Sequence, residues 1–309
     1  MLNERGFLLR IIQIRISNLE DCRFRSASSP KMNETNSNRK PRLTIGMPVY
    51  NGATTIRRAL ASIESQTFRD FRIVIADNAS TDETPSILAE FAAGKDYVQI
   101  NQRPVKASGY SNFIDLALSV ETELFVWLAD DDWWEPEYLV ACVEALDRNP
   151  AARCAFTHFR VYYHFNGEFG ETTRYVPSLS YDPSLNVIIR STDMAVCSFY
   201  GVFRSLDIKE VLRDHDLGFD FWDVFVTLVF ALRGMLEIVQ RDLYRAGVRS
   251  EAAVKRTSFD GSVLKYKPFL KATTKLLYRS LPRGRATLAA INFWWRLWEL
   301  RQHHRNSAR

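Results

Sequence analysis

The chain has 309 residues, 46% hydrophobic and 25% charged, an ordinary globular composition that excludes a fibre or a wholly disordered polypeptide. That length can bury one large core or two small ones. The net charge of +5 is uneven: residues 1–42 carry +5, residues 262–309 carry +10, and the 219 residues between them carry −10. The basic balance therefore sits on the ends, and with no recognition motif beside it the chain is not expected to bind nucleic acid.

Four cysteines, Cys22, Cys142, Cys154 and Cys197, show no metal-type spacing with each other or with the five histidines. This argues against a zinc site or a disulfide framework and for reduced thiols in a cytoplasmic protein. No stretch reaches the roughly 18 apolar residues of a membrane span. Phe7 to Ile16 is broken by Arg10 and Arg15, which spoils a signal-peptide hydrophobic region. Residues 17–42 are polar and basic and read as disordered, and Met32 offers a second start codon that would make residues 1–31 an artefact.

Taken in order, Leu43–Val49 reads as a strand and Ala53–Gln66 as an amphipathic helix with Ile56, Leu60 and Ile63 on one face. Phe71–Ala76 is a second apolar strand, followed by the turn-rich Asp77–Asp82 and a helix over Thr84–Ala93. A short strand Tyr97–Ile100, a helix Ser108–Val120, a strand Leu124–Ala129 and a helix Pro136–Arg148 continue the alternation. Strands alternating with helices of this length imply a parallel sheet covered on both faces.

After residue 150 the alternation breaks. Cys154–Phe165 and Met194–Arg204 read as strands without an immediate crossover helix, then Phe221–Arg233 as an apolar helix and Met235–Val239 as a strand. Four regions result: a basic extension at 1–42, an α/β half at 43–150, an appended mixed region at 151–261, and a basic helical tail at 262–309.

Three stretches fall at the carboxyl ends of predicted strands: Met47-Pro48-Val49-Tyr50-Asn51-Gly52, Ile75 to Thr84 with Asp77 and Asn78, and the triplet Asp130-Asp131-Asp132. Open α/β sheets bind ligands at these ends. Three adjacent carboxylates repel one another, and a divalent cation with oxygen preference, Mg²⁺ or Mn²⁺, relieves that repulsion. The competing explanation is an acidic turn opening a helix at Pro136. Tyr50 could equally pack at a strand end, and Asp77 could close an Asx turn.

The set Pro48-Val-Tyr-Asn51, Ser65-Gln-Thr-Phe68, Asp77-Asn-Ala-Ser-Thr-Asp-Glu-Thr84 and Ala129-Asp-Asp-Asp-Trp-Trp-Glu-Pro136 resembles the family 2 glycosyltransferases of the GT-A fold. The likeness spans residues 43–150; beyond them it rests on Tyr200-Gly-Val-Phe-Arg204 and on Asp223 with Ala231-Leu-Arg-Gly234. It implies a GT-A, mostly parallel sheet flanked by helices, and an inverting transfer from a nucleotide-sugar, UDP-linked if Asp77 meets the imide nitrogen of uracil. It places Pro48, Tyr50, Asn51, Asp77, Asn78 and Asp130 at the donor, with Tyr50 beside the base. Asp131 stands at the principal metal position and Asp132 next to it.

One departure is plain. The family's first aspartate falls on Ala129, and Asp130, at the variable position, stands in toward the ribose. The general base falls on Asp223, with Asp220 as substitute; His215 and Asp216 read as surface residues. Arg103 and Lys106 follow the third strand and either offset phosphate charge or sit in solvent.

The resemblance further implies a saccharide or lipid-linked saccharide acceptor and a role in cell-surface polysaccharide or lipopolysaccharide assembly. The tail Phe293-Trp294-Trp295-Arg296-Leu297-Trp298 suits peripheral contact with the anionic inner face of the cell membrane, or packing on the domain or a second subunit. Two other functions stay open: a sugar-nucleotide nucleotidyltransferase, which would need a Gly-rich, Arg-containing loop in place of Tyr50–Thr54, and a non-catalytic saccharide-binding scaffold, which Ala129 favours.

Overall fold

The computed structural model describes residues 40–165, 168–174, 198–215, 217–219, 221–248 and 263–291. The sequence-predicted Asp220, Asp216, Cys22, Cys197 and the tryptophans at 294, 295 and 298 lie outside them, as does the start of the expected strand at Met194.

Four parallel strands form the first part of the sheet: β1 (Leu43–Val49), β2 (Phe71–Asp77), β3 (Val98–Gln102) and β4 (Leu124–Trp127). Every residue of β1 and β4 is buried, as expected of strands covered on both faces. Helices α1 (Ile56–Glu64), α2 (Thr84–Ala92) and α3 (Gly109–Ser119) make the crossovers. In α1 the buried Ile56, Ala59, Leu60 and Ile63 recur at helical spacing, which seats one stripe on the sheet. Ser108 caps α3 by accepting the Ser111 N–H at 3.0 Å.

The strand order is β3-β2-β1-β4, so the chain steps outward from β1 and then returns to its other side. The crevice outside the carboxyl ends of β1 and β4 is thus a topological switch point.

The sheet does not stop at β4. It continues through β8 (Val202–Arg204), β6 (Cys154–Phe165), β9 (Leu236–Val248) and β5 (Trp133–Trp134), with β7 (Glu168–Arg174) paired to β6. β8 runs antiparallel to both β4 and β6, β9 parallel to β6, and β5 antiparallel to β9. The first four strands thus form the expected parallel part of the sheet, and the appended region supplies its mixed part.

This order forces a curl. Leu128 N–H still bonds Gly46 of β1 at 3.0 Å, and Asp132 N–H closes a turn on Ala129 at 3.2 Å. β5 begins one residue later yet pairs with β9, three strands away from β4 along the sheet. The far strands must bend back over the carboxyl end of β4.

α4 (Tyr138–Arg148) packs under β6 and β9, α5 (Ser205–Asp214) follows β8 directly, and α6 (Trp222–Leu232) is buried throughout from Phe225 onward. The helix α5 corrects the expectation that no helix follows the second-half strands. α7 (Val263–Ser280) and a further helical turn sequence at 283–291 close the described chain. Among the described residues no helix is long and apolar enough to cross a membrane. Cys142 and Cys154 are buried, and burial pushes the Cys142 thiol well above its usual range.

Candidate active site

The β1–α1 and β2–α2 loops are laced together at the switch point. Asn51 takes a left-handed conformation (φ 50°), which asparagine tolerates, and its N–H donates to Ser80 Oγ at 2.9 Å while its Oδ1 accepts from Thr81 N–H at 2.9 Å. Gly52 N–H donates to Thr84 Oγ1 at 2.9 Å, and Asn78 exchanges two bonds with the Ala107 backbone at 2.8 and 2.9 Å. The side-chain amides of Asn51 and Asn78 are thus spent on backbone groups, and Pro48 is buried within β1 in register with Ala76. These residues shape the rim.

Tyr50 and Asp77 face that rim differently. Tyr50 is 36% exposed, with the Lys106 ammonium 3.7 Å from its ring centroid. Asp77, the last residue of β2, is only 1% exposed. Its Oδ1 accepts the Ser80 N–H at 3.0 Å, whereas its Oδ2 has no hydrogen-bond partner among the described residues. A buried acceptor in that state is costly unless a ligand donor meets it. Arg103, by contrast, is tied to Asp115 and, at 3.1 Å, to Asn112 Oδ1. It braces α3 and is not directed at the rim.

The three aspartates have three environments. Asp130 is buried against Gly52: a Cβ built on that glycine would lie 2.1 Å from Asp130 Oδ2. Asp132 is buried toward β9, where Oδ1 accepts the Gly247 N–H at 2.8 Å and Oδ2 accepts the Tyr244 hydroxyl. Burial, then Asp131 and Asp130, push the Asp132 carboxyl well above the usual range, and the two donors only partly oppose this.

Asp131, between them, is half-buried. Its carbonyl accepts from the Arg58 guanidinium at 3.4 Å, and that guanidinium stacks 3.6 Å over the Trp133 ring. Gly247 presses on the same backbone, since a Cβ there would lie 2.0 Å from Asp131 O. Neither Gly247, Tyr244 nor Arg58 stands in the sequence motifs; Gly247 and Tyr244 reach the triplet only through the β5–β9 pairing.

Asp223 lies in the first turn of α6, two residues after Phe221, which holds a left-handed conformation (φ 66°) that a phenylalanine rarely adopts. Burial raises its carboxyl above the usual range, only partly offset by the backbone N–H groups of Val224 and of Asp223 itself. Tyr200 connects this helix with the triplet. Its ring stacks on Tyr244 at 6.0 Å, its carbonyl accepts the Tyr138 hydroxyl at 2.8 Å, and its own hydroxyl is kept neutral by burial, then by Asp132, Asp131, Asp223 and Asp130. All four carboxylates therefore bear electrostatically on the Tyr200 hydroxyl. His215 is turned away, its Nδ1 3.0 Å from the Val211 carbonyl and its ring against Phe225.

Among the described residues no three His, Cys, Asp or Glu side chains form a metal cage. Mg²⁺ and Mn²⁺ do not require one when a diphosphate supplies most of the oxygens, since one or two carboxylates suffice. The half-buried Asp131 on a tight turn, with Gly247 close against its backbone, fits that need. Both oxygens of Asp132 already accept hydrogen bonds, so it suits a positioning role better than a ligand's.

Comparison with known proteins adds to this geometry. The sequence profile described as "Glycosyl transferase family 2" matches residues 44–211. An uncharacterized protein of Mycobacterium tuberculosis is 34% identical over 143 residues, 45% of this chain and 40% of that one. The hyaluronan synthase of Pasteurella multocida is 26% identical over 125 residues, 40% of this chain and 13% of the synthase. The chain spans less than half the length of the curated relatives it matches. Among solved structures, S. aureus TarS 1–349 in complex with UDP-GlcNAc is similar at TM-score 0.62 and 19% identity, over 84% of this chain and 73% of that one. The mannosyltransferase PcManGT from Pyrobaculum calidifontis, in complex with GDP-Man and Mn²⁺, is similar at TM-score 0.50 and 16% identity, over 92% and 81%.

Proposed function

Because the chain belongs to glycosyl transferase family 2 and has the GT-A fold, we propose that it moves a sugar from a UDP-linked donor to a hydroxyl acceptor with inversion. The observation that carries this reading is that Asp77 and the aspartate triplet follow the carboxyl ends of parallel strands in one sheet, while Asp223 acts electrostatically on the same tyrosine hydroxyl as the triplet. Asp77 Oδ2 accepts the imide N–H of the base, which satisfies a buried oxygen that has no other partner among the described residues. Tyr50 lies beside the base, and Lys106 on its ring offsets diphosphate charge.

Asp131 would hold Mg²⁺ or Mn²⁺ at the donor; TarS and PcManGT are fold relatives solved with nucleotide-sugars, the latter with Mn²⁺. When bound, such an ion would offset negative charge on the leaving diphosphate. Asp130, packed on Gly52, faces the ribose side, and Asp132 fixes the turn against β9.

Asp223 takes the proton of the acceptor hydroxyl as that oxygen bonds to the anomeric carbon. The bond from that carbon to the diphosphate breaks in the same step, and nucleoside diphosphate leaves. Burial raises the Asp223 carboxyl above the usual range, which makes it a stronger proton acceptor than an ordinary carboxylate. The acceptor is a saccharide, carried on a lipid when the reaction takes place at the cytoplasmic side of a membrane, and the setting is cell-surface polysaccharide assembly. Hyaluronan synthase among the relatives supports a polysaccharide context.

The test is release of UDP from a panel of UDP-sugars, with and without saccharide acceptors, in Mn²⁺, in Mg²⁺ and in excess chelator. We expect release with the ion, loss with chelator, and a loss of at least about 100-fold in Asp131→Asn with an unchanged melting temperature. Full turnover in chelator or in Asp131→Asn would remove the metal assignment. No release with any nucleotide-sugar would leave a saccharide-binding scaffold as the better reading.

A further inference from the structure

We propose that α7 and the helical segment at 283–291 together form a docking surface for an anionic lipid bilayer. Residues 263–291 contain seven Lys/Arg and no Asp/Glu. In α7, Lys267, Lys271, Lys275 and Arg279 recur at four-residue spacing and all are exposed, with Tyr278 on the same side. The opposite side, Phe269, Leu270, Thr273 and Leu277, is buried against the protein. None of these four cations has a carboxylate partner among the described residues. Like charges four residues apart work against a helix, so an external counter-charge is needed along this stripe.

The apolar component lies next to it. Within 283–291 the buried Ala286, Ala289 and Ala290 face inward, and Leu288 and Ile291, 62% and 58% exposed, face outward at helical spacing. The Tyr278 hydroxyl bonds Thr287 Oγ1 at 3.1 Å, so the cationic stripe and this apolar pair belong to one surface. Exposed aliphatic side chains beside an unpaired row of cations match the boundary between lipid headgroups and acyl chains. A second copy of the chain would bring two cationic stripes together, and a nucleic acid would have no use for Leu288 and Ile291. The residues that follow point the same way in composition, since 292–309 add four arginines and three tryptophans to one glutamate.

Flotation of the full chain with phosphatidylcholine vesicles, with and without 30% phosphatidylglycerol, tests this. Each cation near an anionic surface strengthens partitioning about fivefold. Binding is expected only to the phosphatidylglycerol vesicles and to weaken at high salt. The triple variant K271E/K275E/R279E should lose at least about 100-fold in partitioning. The double variant L288D/I291D, with the charges intact, should lose about tenfold or more. All substituted positions are exposed, so circular dichroism melts of both variants should match the wild type. Absence of binding to anionic vesicles, or wild-type binding by either variant, overturns the proposal. So does competition by a duplex oligonucleotide at equal charge with no effect of L288D/I291D, which would mark a polyanion site. Because the readout is partitioning, it stands apart from whether sugar transfer is observed.

Discussion

Asp223 shows how a single residue can be costly to the fold and useful to the reaction. Burial lifts its carboxyl above the usual range, so the folded chain holds a proton on it at pH values where the unfolded chain has lost it. Stability therefore falls as pH rises from the ordinary carboxyl range through the raised value, and the penalty is complete above it. Replacing the group by a neutral amide of the same shape removes that penalty. Asp223→Asn should accordingly melt higher than the wild type at pH 8 and equally at pH 3, while acceptor-dependent UDP release falls at least about 100-fold. In the wild type the same release should decline as the pH is lowered through the raised value. Melting curves at the two pH values together with a pH–rate profile check both parts. An Asn variant less stable at pH 8 would mean that the carboxylate is compensated in a way its surroundings do not suggest. The sites of Asp77 and the triplet were legible in the sequence because each ends an apolar run. Their differing environments were not, since these depend on Gly52, Tyr244 and Gly247.

At the scale of elements, the β1–α3 run follows local rules and its pattern was readable from periodicity alone, with only boundaries moving by a residue or a few. β5 was not readable: two tryptophans form a strand only because Tyr244 and Arg245, more than a hundred positions later, present backbone to them. β8 has three residues, too few to announce that α5 follows it, although Ile208, Val211 and Leu212 carry a helical stripe. The β5–β9 pairing is also where fold and site are most tightly joined. Arg245 is buried between Asp242 and Glu135, Glu135 N–H bonds Leu243 O at 2.9 Å, and Gly247 lies flat on the Asp131 backbone. A methyl group at 247 would overlap the Asp131 carbonyl, and the peptide would have to move by an ångström or more. Overpacking of this kind costs about 1–3 kcal/mol, whereas a misplacement of that size at a reacting centre costs about 100-fold in rate. Gly247→Ala should thus lose activity far out of proportion to its modest drop in melting temperature. Gly109→Ala, where a Cβ meets nothing within 4 Å, should leave activity unchanged. Wild-type turnover in Gly247→Ala would show that β9 does not set the triplet's position.

At the scale of the whole molecule, the composition of the sheet decides whether the donor half can stand alone. Residues 43–150 carry the most specific motifs, and in sequence they look like an independent α/β unit. In the fold, β4 is the fourth strand of a nine-stranded sheet, with β8 on its outer side. Cutting the chain after residue 150 would leave β4 as a raw edge lined by Phe125 and Trp127, both fully buried in the whole chain. Trp127 stacks on Phe199 at 4.5 Å and Phe125 neighbours Trp127 at 4.7 Å, so the cut exposes one face of this aromatic cluster. β5 would lose its pairing partner β9, and with it the donors that hold Asp132. An apolar, unpaired strand edge is a site of aggregation rather than of folding. A fragment of residues 40–150 is therefore expected to aggregate or remain unfolded and to show no UDP-dependent rise in melting temperature. The same cross-sheet contacts should make urea unfolding of residues 40–291 coincide when followed by tryptophan fluorescence and by far-ultraviolet circular dichroism. A soluble, cooperatively melting 40–150 fragment that binds UDP would refute this, and would return the donor half to the status of a self-sufficient domain. The reverse outcome has a functional meaning: the acceptor-side strands are part of the donor site's construction, so variation there changes donor geometry as well as acceptor choice.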